Sequence, residues 1–224
     1  SKKTELILMF GGMPIKNSQI ASGGVGKHSA VEGMKRCKKN GVEFINISPL
    51  KSDSPDFLRA AQIFIRPNTD TSLMLSLAYL LIVNDTYDKT FINKYTVGFE
   101  EFKKYVLGKK KNKPCTPKWA SRITGIPEAN IINLYKIIVK KRTLISMSWS
   151  LQRASHGEQP LWMGITLASM LGHIGKSSGG FGFGYSAVNS TGDSFNKIKW
   201  PSLPQLKNKI KSFIPVARIT DMLN

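Results

Sequence analysis

TLISMSWSLQRASHGEQPLWMGITLASMLGHIGKSSGGFGFGY, residues 143–185, is the stretch from which the fold can be read. Its first five residues form an apolar run suited to a buried strand. A polar turn follows, carrying Ser148, Trp149, Ser150, Gln152, Arg153 and His156. From near Glu158 to Gly172, Leu161, Ile165, Leu167, Ala168 and Leu171 recur at the spacing of one buried helix face. Strand, polar turn and helix start is how open α/β sheets hold ligands, at the carboxyl ends of their strands.

Upstream the same unit repeats. ELILMF (5–10) reads as a strand ended by Gly11-Gly12, and its turn offers Lys16, Asn17, Ser18 and Gln19. Gly23, Gly24 and Gly26 precede a helical pattern in Ala30, Met34 and Cys37, stopped by Asn40-Gly41. Residues 42–47 form a second strand, followed by a proline-rich loop with Ser48, Pro49, Lys51, Ser52 and Asp53. A short third strand, 63–65, ends at Arg66, Asn68, Thr69 and Asp70, with Asp70 or Thr71 placed to cap a buried helix over 73–83. Residues 85–141 are helical in pattern: 88–95, 99–107, a helix from Pro117 to Ile123, and another from Pro127 with Ile131, Leu134, Ile137 and Ile138 inward. The fold class that follows is α/β, a doubly wound parallel sheet with a helical insertion at about 85–141. Residues 179–184 read as glycine-rich backbone near a neighbour or as a loop, and 186–224 as an extended connection.

In such a sheet the four loops share one edge. Ordinary turn chemistry explains any one of them, but four together shift the balance towards a nucleotide-like ligand. Asp53 and Asp70 suit hydroxyls or guanine nitrogens, and Lys16 and Arg153 suit phosphates. His156 is divided between ligand contact and a structural hydrogen bond, Trp149 between ring stacking and core, and His173 reads as a partner for a helix C-terminus. GGVGKH (23–28) lacks the hydroxyl that a phosphate-binding loop places after its lysine, and Gly175-Lys176-Ser177 lacks the upstream glycine and strand. These near-misses argue against a nucleoside triphosphatase. No G-x-S-x-G occurs, which argues against a serine hydrolase of that type.

The composition is ordinary except for its charge, +19 from 33 basic and 14 acidic residues. The lysines are scattered and lack interleaved aromatics, so a solvated surface outweighs nucleic acid, although a basic module for a polyanion stands as the alternative reading. Cys37 and Cys115 indicate neither a metal site nor a disulfide. No apolar run reaches the roughly 18 residues of a spanning helix. Both chain ends read as cuts within a longer protein.

The motifs MPIKNSQ (13–19), NISPLKSDSPDF (46–57), RPNTDTSLMLSLAYLL (66–81), TPKWASRITGIP (116–127), the run 148–175, GGFGFGY (179–185) and IPVARITDML (214–223) together resemble the molybdopterin oxidoreductases. The resemblance covers nearly the whole chain in unbroken order, and within the family it is nearest to the dimethyl sulfoxide, trimethylamine N-oxide and biotin sulfoxide reductase branch. It implies a Rossmann-like domain over 1–185, part of an enzyme using Mo-bis(molybdopterin guanine dinucleotide) for two-electron oxygen-atom transfer from an S-oxide or N-oxide. Carried over by position, Lys16, Asn17 and Ser18 would line the cofactor; Ser48, Pro49, Asp53, Asn68, Thr69 and Asp70 would lie by the nucleotide. Trp149, Ser150, Gln152 and Arg153 would face pterin and phosphates, with His156 and Gly157 close by. The metal ligand in this branch is a serine on an upstream segment, so no catalytic or metal-ligating residue is assigned here. The implied partners are the remainder of the same polypeptide, the small oxide substrate and an electron-donor protein. The branch has exported and cytoplasmic members; the compartment stays open, with the periplasm placed ahead.

Overall fold

The computed structural model describes residues 3–19, 29–110, 113–177 and 179–184, then 201, 203–204, 206–207, 209 and 212–223. The motif at 23–28 and the domain limit near 185 lie outside the described residues, as do the side chains of Ser18 and Gln19. The chain divides into two units, residues 1–193 and 194–224. In the second, residues Val216–Leu223 form 3-10 turns interrupted at Arg218, which is ion-paired with Asp221.

The first unit is built on five parallel strands in the order β3-β2-β1-β4-β5: β1 Leu6–Phe10, β2 Glu43–Ile47, β3 Ala61–Ile63, β4 Thr143–Met147 and β5 Gly180–Phe183. β1 is central and buried along its whole length, which is why it reads as an unbroken apolar run rather than an alternation. On one face Leu6, Leu8, Phe10, Ile45, Ile47, Ile145 and Met147 join the main core. On the other, Ile7, Met9 and Phe44 pack with Met34 of helix α1 (Ala30–Lys39) and with Leu58. Helices thus cover both faces, as a doubly wound sheet requires.

The main core is closed by α2 (Asp70–Val83) and α7 (Glu158–Met170), with α3 (Lys89–Tyr95), α4 (Phe99–Val106), α5 (Pro117–Thr124) and α6 (Glu128–Ile138) between them. Their starts follow local chemistry. The Asp88 carboxylate accepts from Phe91 N at 2.8 Å, and Thr116 Oγ1 accepts from Trp119 N at 3.1 Å just ahead of Pro117. In α6, Ile131, Leu134 and Ile138 are buried, while Ile137 is half-buried.

The structure corrects four local expectations. The third strand lies two residues earlier than 63–65. The Gln62 side chain accepts from Asn46 Nδ2 at 2.7 Å and donates to Ser48 O at 2.9 Å, fastening 61–63 beside β2. Arg66 N then donates to Thr124 O, which turns the chain off the sheet. Thr69, not Asp70 or Thr71, occupies the cap position of α2, and its hydroxyl donates to Arg66 O at 2.6 Å. Residues 180–183 form a strand, which sets aside the loop reading, because backbone pairing to β4 and the seating of Phe181 replace the missing side-chain pattern; the close approach to neighbours holds at Gly179 and Gly184, where a Cβ would meet His173 and Trp149. His173 closes the end of α7 through its backbone, its N donating to Ala168 O at 3.2 Å, but its ring Nδ1 meets the backbone of Thr143, at 3.3 Å from its N and 3.2 Å from its O, rather than the helix C-terminus.

The sheet and α7 touch most closely at Gly164, where an added Cβ would come 3.0 Å from both Met147 Sδ and Phe181 Cε2. Gly164→Val should therefore overpack this contact and cost about 1–3 kcal/mol, read as a lower urea midpoint of the full-length protein at unchanged m-value.

Candidate functional site

Parallel pairing puts the loops after β1, β2, β3 and β4 at one edge, so Asn17, Asp53, Asp70 and Arg153 belong to a single rim. The loops are fastened by backbone hydrogen bonds. Gly11 N donates to Ile47 O at 2.9 Å, Met13 N to Asp53 O at 2.7 Å, and Ser148 N to Phe10 O at 2.9 Å. The β1 loop runs so close to its neighbours that a Cβ on Gly12, which has φ +75°, would collide with Asp53.

Each loop then presents its polar groups. After β1, a short 3-10 turn (Ile15–Gln19) exposes Lys16 and leaves Asn17 half-buried. After β2, Ser48 is fully buried and its hydroxyl donates to Asp53 Oδ2 at 2.5 Å while accepting from Leu50 N; Pro49 is exposed. Ser48 therefore acts on its own loop, holding the Asp53 carboxylate in place. After β3, Asn68 takes the left-handed conformation at φ 63°, delivering Asp70 to the first turn of α2. After β4, Ser150 Oγ lies 3.0 Å from Ser148 Oγ, and Gln152 and Arg153 are exposed. Trp149 is tilted against Phe183 of β5, with ring centroids 5.7 Å apart. The loop closes at His156, φ 58°, whose Nδ1 is 3.7 Å from the Glu158 carboxylate. Gly157 follows, and a Cβ there would strike the Gln152 carbonyl.

A groove of 360 Å³ opens between the β3 and β4 loops, lined by Asn68, Asp70, Thr71, His156, Gly157 and Gln159 among others. Lys16, Asn17, Ser48, Pro49, Asp53, Thr69 and the run Trp149, Ser150, Gln152, Arg153 do not line it; they occupy neighbouring parts of the rim. Asp70 is only 4% exposed. Among the described residues, its carboxylate is held by nothing but its own backbone N–H. Burial pushes it up to about 6, against the pull of that N–H. A buried carboxylate in a groove wall, bonded among the described residues only to its own N–H, can take a further donor. No cluster of three His, Cys, Asp or Glu side chains fit to hold a metal occurs among the described residues.

The Molybdopterin oxidoreductase family model matches residues 2–214 of the 224. The chain belongs to that family. A molybdenum–molybdopterin cofactor is what membership implies. Biotin sulfoxide reductase of Cereibacter sphaeroides is 41% identical over the whole chain, which covers 30% of that relative. Dimethyl sulfoxide/trimethylamine N-oxide reductase of Rhodobacter capsulatus is 38% identical over the whole chain and 28% of its own length. Trimethylamine-N-oxide reductase of Haemophilus influenzae is 36% identical over 99% of the chain and 28% of its own length. The chain thus spans less than a third of these curated relatives. Among solved structures, acetylene hydratase from Pelobacter acetylenicus overlays at a TM-score of 0.61 with 20% identity, covering 80% of this chain and 23% of that one, a likeness of fold.

In this molybdopterin oxidoreductase chain, reading of loops missed Thr71, Gln159, Leu151 and Phe183 at the rim. Gln159 was within reach, since it stands in the first turn of the helix that follows the polar turn. Phe183 was not, because its strand has no apolar alternation. The Asp70 carboxyl, raised from 3.8 to about 6, destabilises the fold once ionised. Stability is therefore undiminished by Asp70 below about pH 4, falls progressively as pH rises from about 4 to about 6, and is level above that. Asp70→Asn in cofactor-free, full-length protein should therefore gain stability relative to wild type across that window. The gain should level off at about 3 kcal/mol above it, measured by urea unfolding at successive pH values.

Proposed function

We propose that this chain is the part of a molybdenum-dependent S-oxide or N-oxide reductase that grips a molybdopterin guanine dinucleotide of Mo-bis(molybdopterin guanine dinucleotide). The carrying observation is the Asp70 carboxylate, buried in the groove wall and, among the described residues, given no donor except its own N–H. The N–H groups of a guanine edge are the chemistry it lacks, and binding them favours its ionised form.

The other rim residues fit the same ligand. Lys16 and Arg153, exposed on the loops after β1 and β4, supply positive charge for a pyrophosphate. Ser48 holds Asp53 for hydroxyl or N–H recognition. Asn17, Asn68 and Gln152 add neutral donors and acceptors, and His156 is presented at the groove by its left-handed backbone. Gly12 and Gly157 keep main chain where any Cβ would collide. Trp149 and Phe183 give the β4–β5 side an aromatic flank. When bound, the cofactor supplies two-electron reduction, by which an S-oxide or N-oxide with two protons loses its oxygen as water. This chain's share is to bind and orient.

Purified full-length protein should contain molybdenum with two guanines per metal; protein lacking both would overturn the proposal. Arg153→Ala removes a charge-assisted contact worth about 1.5–3 kcal/mol. Cofactor retention in dilution should weaken about ten- to a hundredfold, with secondary structure unchanged by circular dichroism. Unchanged molybdenum content would remove Arg153 from the phosphate-binding role.

A further inference from the structure

Helix α7 has two apolar stripes. Gly164 lies against Met147 and Phe181 of the sheet, and Leu167, Ala168 and Met170 are buried. Trp162, Ile165, Thr166 and Ser169, at the same helical spacing, face outward into a second groove of 620 Å³ between α7 and α2, α3 and α4. Trp162 remains 67% exposed there, Ile165 44%, and Val97 on the opposite rim 99%. A helix apolar all round belongs in an interior, and an aromatic-rich patch of this kind marks an interaction surface.

Three hydroxyls of this groove are already satisfied. Thr166 Oγ1 donates to Trp162 O at 3.0 Å, Ser169 Oγ to Ile165 O at 2.9 Å, and Thr96 Oγ1 to Ile92 O at 2.7 Å. Hydroxyls turned back onto their own helix present carbon to the groove, so it can be dried without orphaning them. None of its lining residues carries a charge that would orient a small polar ligand. An apolar groove of this kind suits a polypeptide segment, whether from a second copy or from more of the same polypeptide. The relatives extend far beyond this chain, which covers 28–30% of them.

We propose that the α2–α3–α4–α7 groove is the seat of an apolar segment of the same full-length polypeptide from outside these 224 residues. Thr71 and Gln159 line both this groove and the Asp70 groove, so the seated segment abuts the rim. The proposal does not depend on which cofactor that rim holds.

The test uses the full-length protein carrying the photo-crosslinking residue p-benzoylphenylalanine at position 165, irradiated and mapped by mass spectrometry. Crosslinks to residues outside this segment, in a product of monomer mass, are the expected result. A product of twice the mass assigns the groove to a second copy and overturns the proposal, as do crosslinks confined to this segment or none at all. Independently, Trp162 in unmodified protein should resist oxidation by hydroxyl radicals at every protein concentration, and Ile165→Asp should abolish that protection. Trp162 as reactive as in the urea-unfolded chain overturns the seat whatever the fate of the Asp variant.

Discussion

The level register of the three central strands is the constraint on which everything else rests. Phe10 is opposite Ile47 on one side and Met147 on the other, so β2, β1 and β4 end together. Each strand's last carbonyl can then receive the next loop: Ile47 O takes Gly11 N, and Phe10 O takes Ser148 N. A slip of one residue would turn Leu6, Leu8 and Phe10 away from the main core and separate the loops as well. Burial of β1 on both faces makes that slip costly, so the apolar core fixes the position of a polar rim. Packing and site geometry are one constraint here.

The rim itself is held by short hydrogen-bonded chains. Gln62 links Asn46 to the Ser48 backbone, Ser48 fixes Asp53, and the Asp53 carbonyl receives Met13 N. Substituting any member would strand buried partners, which costs more than the lost bond. Asp70 is the exception, a buried carboxylate left without such support. Its raised proton affinity is an energetic cost that the cofactor-free fold carries. A donor entering the groove relieves that cost, so part of the binding energy is already present as strain in solvation. The surrounding excess of lysine acts in the same direction at longer range, favouring an anionic ligand over a neutral one.

How far this was legible in the residues depended on whether side chains or backbone made the decision. β1, β2 and β4 and the helices were readable because apolar runs, prolines and cap residues announce them. β3 was misplaced by two residues because Gln62, a polar side chain, fastens it through partners far away in sequence. β5 was unreadable because Gly180 and Gly182 contribute no pattern and the strand exists by pairing to β4. At the rim, the loops and their acids and bases could be named from strand ends alone. Which hydroxyls were already committed could not: Ser48 and Thr69 turn to protein partners that only tertiary packing supplies.

Helix α7 shows how one segment carries several of these demands at once. Its inner stripe is thinned to Gly164 so that Met147 and Phe181 can approach, which sets the depth at which the helix lies on the sheet. That depth places its first turn, with Gly157 and Gln159, at the wall of the Asp70 groove. Its outer stripe, whose Thr166 and Ser169 hydroxyls are turned back onto the helix, is then left at a fixed distance from the same rim. A segment pressed against Trp162 and Ile165 would hold α7 onto the sheet and so hold the β4 loop in place. Seat and rim are coupled through a single helix, whose Gln159 lines both grooves.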